Sequence, residues 1–198
     1  MGNTVLYMSM SLDGFIAGPN EADDNGLGDG GDRLHEWVFP PEGGVNTQIV
    51  DEFMSTGAVV AGRGTFEPAE GWKGDHHNGV PIWVLSRRPV PSWASDMSAV
   101  HYTNDIEAAF REARDAAGER DVLVHGAGTA QRAIAEGLLD EMEIHLIPVL
   151  LGEGRRLFDE LGAEHRELER LMVRVGEGGV THLRYRLLPL RAGQTTWA

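Results

Sequence analysis

Short apolar runs alternate with helical periodicities over most of this chain. Val5–Met10 reads as a first strand, and Ser11–Gly18 follows it with turn residues around apolar ones. Asn46 is placed to cap a helix whose Ile49, Val50, Phe53 and Met54 share one face, with Gly57 as its stop. Ala58–Gly62 reads as a buried strand and Trp72–Gly79 as a polar loop. Val80–Ser86 is a strand with its proline near the start, and Ala99–Thr103 is a weaker one. Asn104 and Glu107 make a capping box before Ile106, Ala109, Phe110, Ala113, Ala116 and Ala117, which keep a 3.6-residue period up to Gly118. Asp121–His125 is a strand that turns at Gly126 into a second helix, with Ala130, Ala133 and Ile134 inward and a stop at Gly137. Met142–Leu151 reads as a long strand, and Val173–Val175 with Thr181–Leu188 as a late hairpin. Strands alternate with helices through residue 137, and strands dominate afterwards. That order predicts a three-layer α/β fold on a mixed sheet whose last strands are antiparallel.

The chain reads as a single domain over 1–188, with a C-terminal tail over 189–198. Within it, 19–44 is acidic and glycine-rich, ends near Pro40-Pro41, and reads as a surface loop or as a flap over a site. Absence of cysteine excludes disulfides, a thiolate nucleophile and cysteine-based zinc or iron–sulfur sites. A net charge of −14 argues against a general nucleic-acid surface. The longest near-apolar run, Ile144–Leu151, is far too short for a membrane span, and the amino terminus lacks a signal pattern, so the expected location is cytoplasmic.

Two strand-to-glycine-to-helix junctions stand out: Gly62-Arg63-Gly64-Thr65 and Gly126-Ala127-Gly128-Thr129. Each reads either as a backbone cradle for phosphate or as a tight turn that needs glycine for geometry alone. The usual dinucleotide fingerprint fails, because Gly126-x-Gly128 lacks its third glycine, and no Gly-Lys-Ser/Thr closes a Walker loop. Ser86-Arg87-Arg88, at a strand end, suits a phosphate monoester such as the 2′-phosphate of NADPH, or is a pair of solvated arginines. Asp75-His76-His77 has no third ligand at a familiar spacing, so its histidines read as solvated loop residues and no metal is expected. His125 is either a ligand contact or a strand histidine bonded to backbone. Of the tryptophans, which read either as core and loop anchors or as walls for a flat ring, only Trp37 and Trp72 lie beside these elements.

Several segments then fall in a recognisable order: Ser11–Ala17, Gly62–Glu67, Val84–Arg87, Gly126–Thr129, Gly137–Met142, Ile147–Gly154 and Leu157-Phe158. Together, over about residues 4–187, they resemble the dihydrofolate reductase superfamily. The branch they are most similar to is the reductase domain of bifunctional riboflavin-biosynthesis deaminase-reductases, without the deaminase half. The resemblance implies a mixed sheet of eight or nine strands and an NADPH-dependent reductase acting on a small pterin- or pyrimidine-like ring. It implies that Gly62, Arg63, Gly64 and Thr65 lie under the cofactor phosphates and that Ser86 and Arg87 hold the 2′-phosphate. Gly126, Ala127, Gly128 and Thr129 would take the pyrophosphate and nicotinamide side, and a loop with Leu12, Ile16 and Ala17 would cover the nicotinamide. The acidic group is left open between Asp32 and Glu36, with Asp13 next or ordering its own loop. A homodimer through Ile144–Leu151 is also implied. The rival readings are a deazaflavin-dependent reductase and a noncatalytic nucleotide-binding protein on the same scaffold.

Overall fold

The structure is a computed structural model that describes residues 1–22, 24–39, 43–159, 161–162 and 165–189. Asp23 and Pro40-Pro41 of the expected flap, and 190–198 of the expected tail, lie outside the described residues. The chain runs β1 (Thr4–Ser11), β2 (Phe15–Ala17), α1 (Val45–Met54), β3 (Ala58–Gly62), α2 (Arg63–Phe66), β4 (Ile82–Leu85) and β5 (Val100–Thr103). It continues α3 (Ile106–Ala117), β6 (Val122–His125), α4 (Ala127–Ala135), β7 (Glu141–Ile147), β8 (Arg155–Arg156), β9 (Leu168–Val175) and β10 (Thr181–Leu187).

One sheet of eight strands has the order β5-β4-β3-β6-β1-β7-β10-β9. The strands from β5 to β7 are parallel; β10 is antiparallel to both β7 and β9. β2 and β8 form a separate small ribbon. Strands buried on both faces read as continuous apolar runs, which is why β3, β4 and β6 were visible in the sequence. On one face, α3 and α4 pack Phe110, Ala113, Ala130 and Ile134 against Leu6, Val60 and Val124. On the other, α1 and short 3-10 turns at Gly31–Leu34 and Glu36–Val38 bury Leu34, Trp37 and Ile49 with Ile147 and Val180. This is the expected dihydrofolate reductase-like three-layer architecture, with antiparallel strands at its end. No helix among the described residues is long and apolar enough to cross a membrane.

Several local expectations are corrected. Asn46 lies inside α1 and does not cap it. The Glu177 carboxylate does, accepting the amides of Val45 and Asn46 at 3.0 Å each. On α3 the cap is Asp105, whose Oδ1 accepts the Ala108 amide at 2.9 Å, one residue past the expected Asn104. His77 is buried and His76 half-buried rather than solvated: a left-handed turn at Gly71–Lys73 folds their loop inward, and His77 Nε2 lies 3.1 Å from Thr56 Oγ1. Within the Ile144–Leu151 segment the strand is shorter than expected: β7 ends at Ile147 and lies between β1 and β10, while Pro148 and Leu150 beyond it are exposed. The free sheet edge on that side is β9, which exposes Leu168, Leu171, Val173 and Val175.

Candidate active site

The carboxyl ends of parallel strands open at one edge of the sheet, where backbone amides and loops converge. Here β3 runs into α2 and β6 runs into α4, so both glycine junctions meet at that edge. Gly126 has φ +92°, and a Cβ there would collide with Thr65 Oγ1; a Cβ at Gly62 would stand 3.0 Å from Thr129 Oγ1. Glycine is thus required for the two junctions to approach each other. Between them lies a cavity of about 330 Å³. It is lined by Gly62, Gly64, Thr65, Gly126, Ala127, Gly128 and Thr129, and by Ser86, Arg87, Arg132 and Arg155. Among the described residues no carboxylate lines it, although the chain carries a net charge of −14.

Arg63 is not part of that lining. Its Nε stands 2.8 Å from Glu67 Oε1, and its Nη1 donates to Pro89 O at 2.9 Å and to Ser86 Oγ at 3.3 Å. Arg63 therefore fastens the Ser86–Pro89 segment to α2. Ser86 Oγ also accepts the Arg88 amide at 3.0 Å and donates to Arg88 O at 2.9 Å, which closes the turn that carries Arg87.

A second cavity, about 780 Å³, adjoins the first at Gly64, Thr65 and Arg155. Tyr7, Ser9, His125 and His145 form its floor, because β1, β6 and β7 turn these positions to one face of the sheet. Trp37, Trp72 and His76 are walls, Ile16 and Ala17 border it, and Glu21, Asp24, Asp32 and His35 reach it from 19–39. Trp37 Nε1 donates to Ser9 Oγ at 2.8 Å, and its ring lies 4.2 Å from that of His145. Trp72 meets His76 at 4.5 Å, and His76 meets His125 at 5.2 Å. Burial pushes the imidazole of His76 down to about 2 and that of His125 down to about 4. It holds His145 well below the usual histidine range. These rings are neutral at physiological pH, and His125 Nδ1 lies 3.0 Å from Tyr7 O, so His125 is both backbone-bonded and cavity-lining.

The three acidic candidates separate clearly. Asp32 lines the large cavity. Glu36 turns outward and pairs with Arg33 at 3.2 Å. Asp13 lines neither cavity. Its carboxylate accepts from Ser11 Oγ at 2.6 Å, Gly152 N at 2.7 Å and Leu151 N at 3.1 Å. The Ser11 hydroxyl, with these amides, holds Asp13 down to about 2. Asp13 thus ties the turn after β1 to the stretch before β8. Leu12 lines neither cavity and is 62% exposed. Sequence reasoning missed Tyr7, Ser9, Glu21, Asp24, His145 and Arg155. The available signal was a lone polar residue inside an apolar strand, as with Ser9 between Met8 and Met10 and His145 between Ile144 and Leu146.

The RibD C-terminal domain model matches residues 4–181. The chain belongs to the RibD C-terminal domain family. Membership in the RibD C-terminal domain family supports an oxidoreductase-type role on this scaffold. Among curated proteins the chain is 28% identical to the uncharacterized protein YwjB of Bacillus subtilis (strain 168), over 81% of this chain and 85% of that one. Among solved structures it resembles a Shewanella sp. PV-4 protein named for riboflavin biosynthesis, with 26% identity and TM-score 0.71, covering 94% of this chain and 99% of that one. A pyrimidine reductase-like protein of Corynebacterium diphtheriae shares the fold at 13% identity and TM-score 0.62, over 94% and 92% of the two chains. RibD of Acinetobacter baumannii shares it at 20% identity and TM-score 0.64; this RibD C-terminal domain chain covers 58% of that longer protein, with 95% of its own length aligned.

Proposed function

We propose that this protein is an NADPH-dependent reductase of a small planar heterocycle, pterin- or pyrimidine-like. The observation that carries the reading is the division of one cleft into two parts. A glycine-lined, arginine-rich cavity adjoins an aromatic one, with Gly64, Thr65 and Arg155 shared between them. Bound there, NADPH supplies a hydride.

The small cavity fits the phosphates of such a cofactor: its donors are backbone amides, two threonine hydroxyls and arginines, with no carboxylate to repel an anion. Ser86 and Arg87 would hold the 2′-phosphate. Gly62, Gly64, Thr65, Gly126, Ala127, Gly128 and Thr129 would hold the pyrophosphate, with Arg63 bracing the loop behind them. Ile16 and Ala17 would border the nicotinamide, on a turn that Leu12 and Asp13 help to order. Trp37 and Trp72 would flank the substrate ring, and Asp32, one of three carboxylates lining that cavity with Glu21 and Asp24, would exchange a proton with it. The walls exclude bulk water and orient the ring; catalysis rests mainly on that positioning. A homodimer would use the exposed β9 edge rather than β7.

Calorimetric titration with NADPH and NADH tests the reading. NADPH is expected to bind at least about tenfold more tightly, the worth of a charge-assisted contact to the extra phosphate. Arg87→Ala should remove that preference and leave NADH binding unchanged. Absence of binding by either nucleotide overturns the assignment.

A further inference from the structure

The floor of the large cavity contains a hydrogen-bond chain whose direction can be worked out from its far end. Asn46 Nδ2 donates to the Glu177 carbonyl at 3.2 Å. That sets the amide so that Oδ1 faces His182 Nε2, at 3.0 Å. An amide oxygen only accepts, so His182 Nε2 carries the hydrogen. Burial pushes His182 down to about 4, so the ring is neutral and its Nδ1 holds a lone pair. His145 Nδ1 stands 2.9 Å from that lone pair. A hydrogen bond between the two nitrogens therefore requires the proton to sit on His145 Nδ1. His145 is neutral as well, so its remaining nitrogen, Nε2, carries a lone pair and can only accept.

We propose that His145 is a specificity-determining residue of this cavity: Asn46 and His182 lock it in the tautomer whose Nε2 accepts, which selects a planar ligand presenting an N–H donor edge. The identity of that ligand as the reductase's substrate rests on the function proposed above; the locked tautomer does not. The surroundings agree with a donor-edged ligand. The Trp37 ring lies 4.2 Å from His145 and offers an aromatic face for a flat ring. The carboxylates of Glu21, Asp24 and Asp32 also line the cavity and also only accept. Among the described residues lining it, Arg155 is the one arginine and no lysine is present, and Glu21 engages Arg155 at 2.9 Å. The chain is anchored outside the cavity, where the Glu177 carboxylate accepts the first two amides of α1 and so fixes Asn46 on that helix. This arrangement uses residues from α1, β7 and β10, which are separated by more than a hundred positions at the widest.

Two measurements test the proposal, and neither needs NADPH or turnover. In long-range proton–nitrogen NMR spectra of histidine-labelled protein, His145 should be neutral and protonated at Nδ1, with His182 protonated at Nε2. The second uses ligand-observed NMR titration with uracil, which has ring N–H donors, and 1,3-dimethyluracil, which keeps the ring and carbonyls but lacks those donors. Uracil should bind about fivefold more tightly, the worth of one net hydrogen bond. His182→Phe, which frees the His145 tautomer, should bring that ratio close to one. His145→Gln, which keeps a hydrogen-bonding group near the Nε2 position, should preserve more of the ratio than His145→Asn. A His145 protonated at Nε2 in the unaltered protein overturns the proposal, and so does equal binding of the two rings. The spectrum and the two-ring comparison on the unaltered protein together decide the point even if a variant fails to fold. Failure of the NADPH titration with these results intact would refute the reductase reading alone.

Discussion

Arg155 Nε and Glu21 Oε2 stand 2.9 Å apart at the place where the two cavities join. The pair links β8 to the acidic 19–44 segment, and it makes Arg155 a shared resource: its guanidinium faces the phosphate-sized cavity while a carboxylate of the aromatic cavity holds it. Removing the arginine should weaken NADPH binding by about tenfold, the loss of one charge-assisted hydrogen bond. Glu21→Gln should act in the opposite sense, because Arg155 then has no competing anion. Calorimetry on both variants checks this, and a weakening in both would show that the pair acts as a structural unit instead.

Trp37 Nε1 donates to Ser9 Oγ inside the protein, where both side chains are buried. This bond pins the 3-10 turns to β1 and shapes the aromatic wall. Trp37→Phe retains most of the ring's apolar area and leaves the serine hydroxyl short of its donor. A loss of about 1–3 kcal/mol in urea unfolding is expected. Adding Ser9→Ala should recover part of it, because the polar group left unpaired is then absent. A double variant no more stable than the single one would contradict this account.

Glu143 has no exposed surface, and neither of its carboxylate oxygens has a hydrogen-bond partner. Burial pushes it up to about 7, against the opposing pull of Arg184, whose Nη1 is 3.5 Å away and also serves Tyr7, while its other nitrogens engage Glu141 and Asp121. Its folded value lies above the ordinary 4.5, so between these two pH values the folded chain keeps a proton that the unfolded chain has released. This group's contribution to stability is therefore most favourable below the ordinary value and declines as pH rises through about 7. Denaturant midpoints at pH 5 and pH 8 should fall with pH, and Glu143→Gln should make that fall shallower. An unchanged pH dependence in the variant would assign the effect to other groups.

Much of the scaffold was legible along the chain. The period of Ile106–Ala117 marked α3, and the apolar runs marked β3, β4 and β6, because each signal is local and each element buries the face the pattern names. Caps were less legible. Asn46 and Asn104 are good capping residues near helix starts, yet α1 is capped by Glu177 from a turn 131 positions away. A cap needs an acceptor in space, and sequence proximity is one of several ways to supply it. The histidines show the same limit. His76 and His77 follow an aspartate in a glycine-rich stretch and look solvated; a left-handed turn that no periodicity announces carries them inward.

Composition, period and glycine placement determine the layered α/β fold and the two junctions at its open edge, because backbone geometry and burial act over a few residues at a time. Which side chains share the cleft was decided by folding. Strand register sets Tyr7 beside Glu143 and Ser9 beside His145, and brings His182 opposite His145. Those pairings arise from hydrogen bonding between distant segments, and a shift of one residue would turn every one of these side chains to the other face. The same long-range packing separated three acidic candidates of equal chemistry, placing Asp32 on the lining of the large cavity, Glu36 against Arg33 and Asp13 on the amides of Leu151 and Gly152.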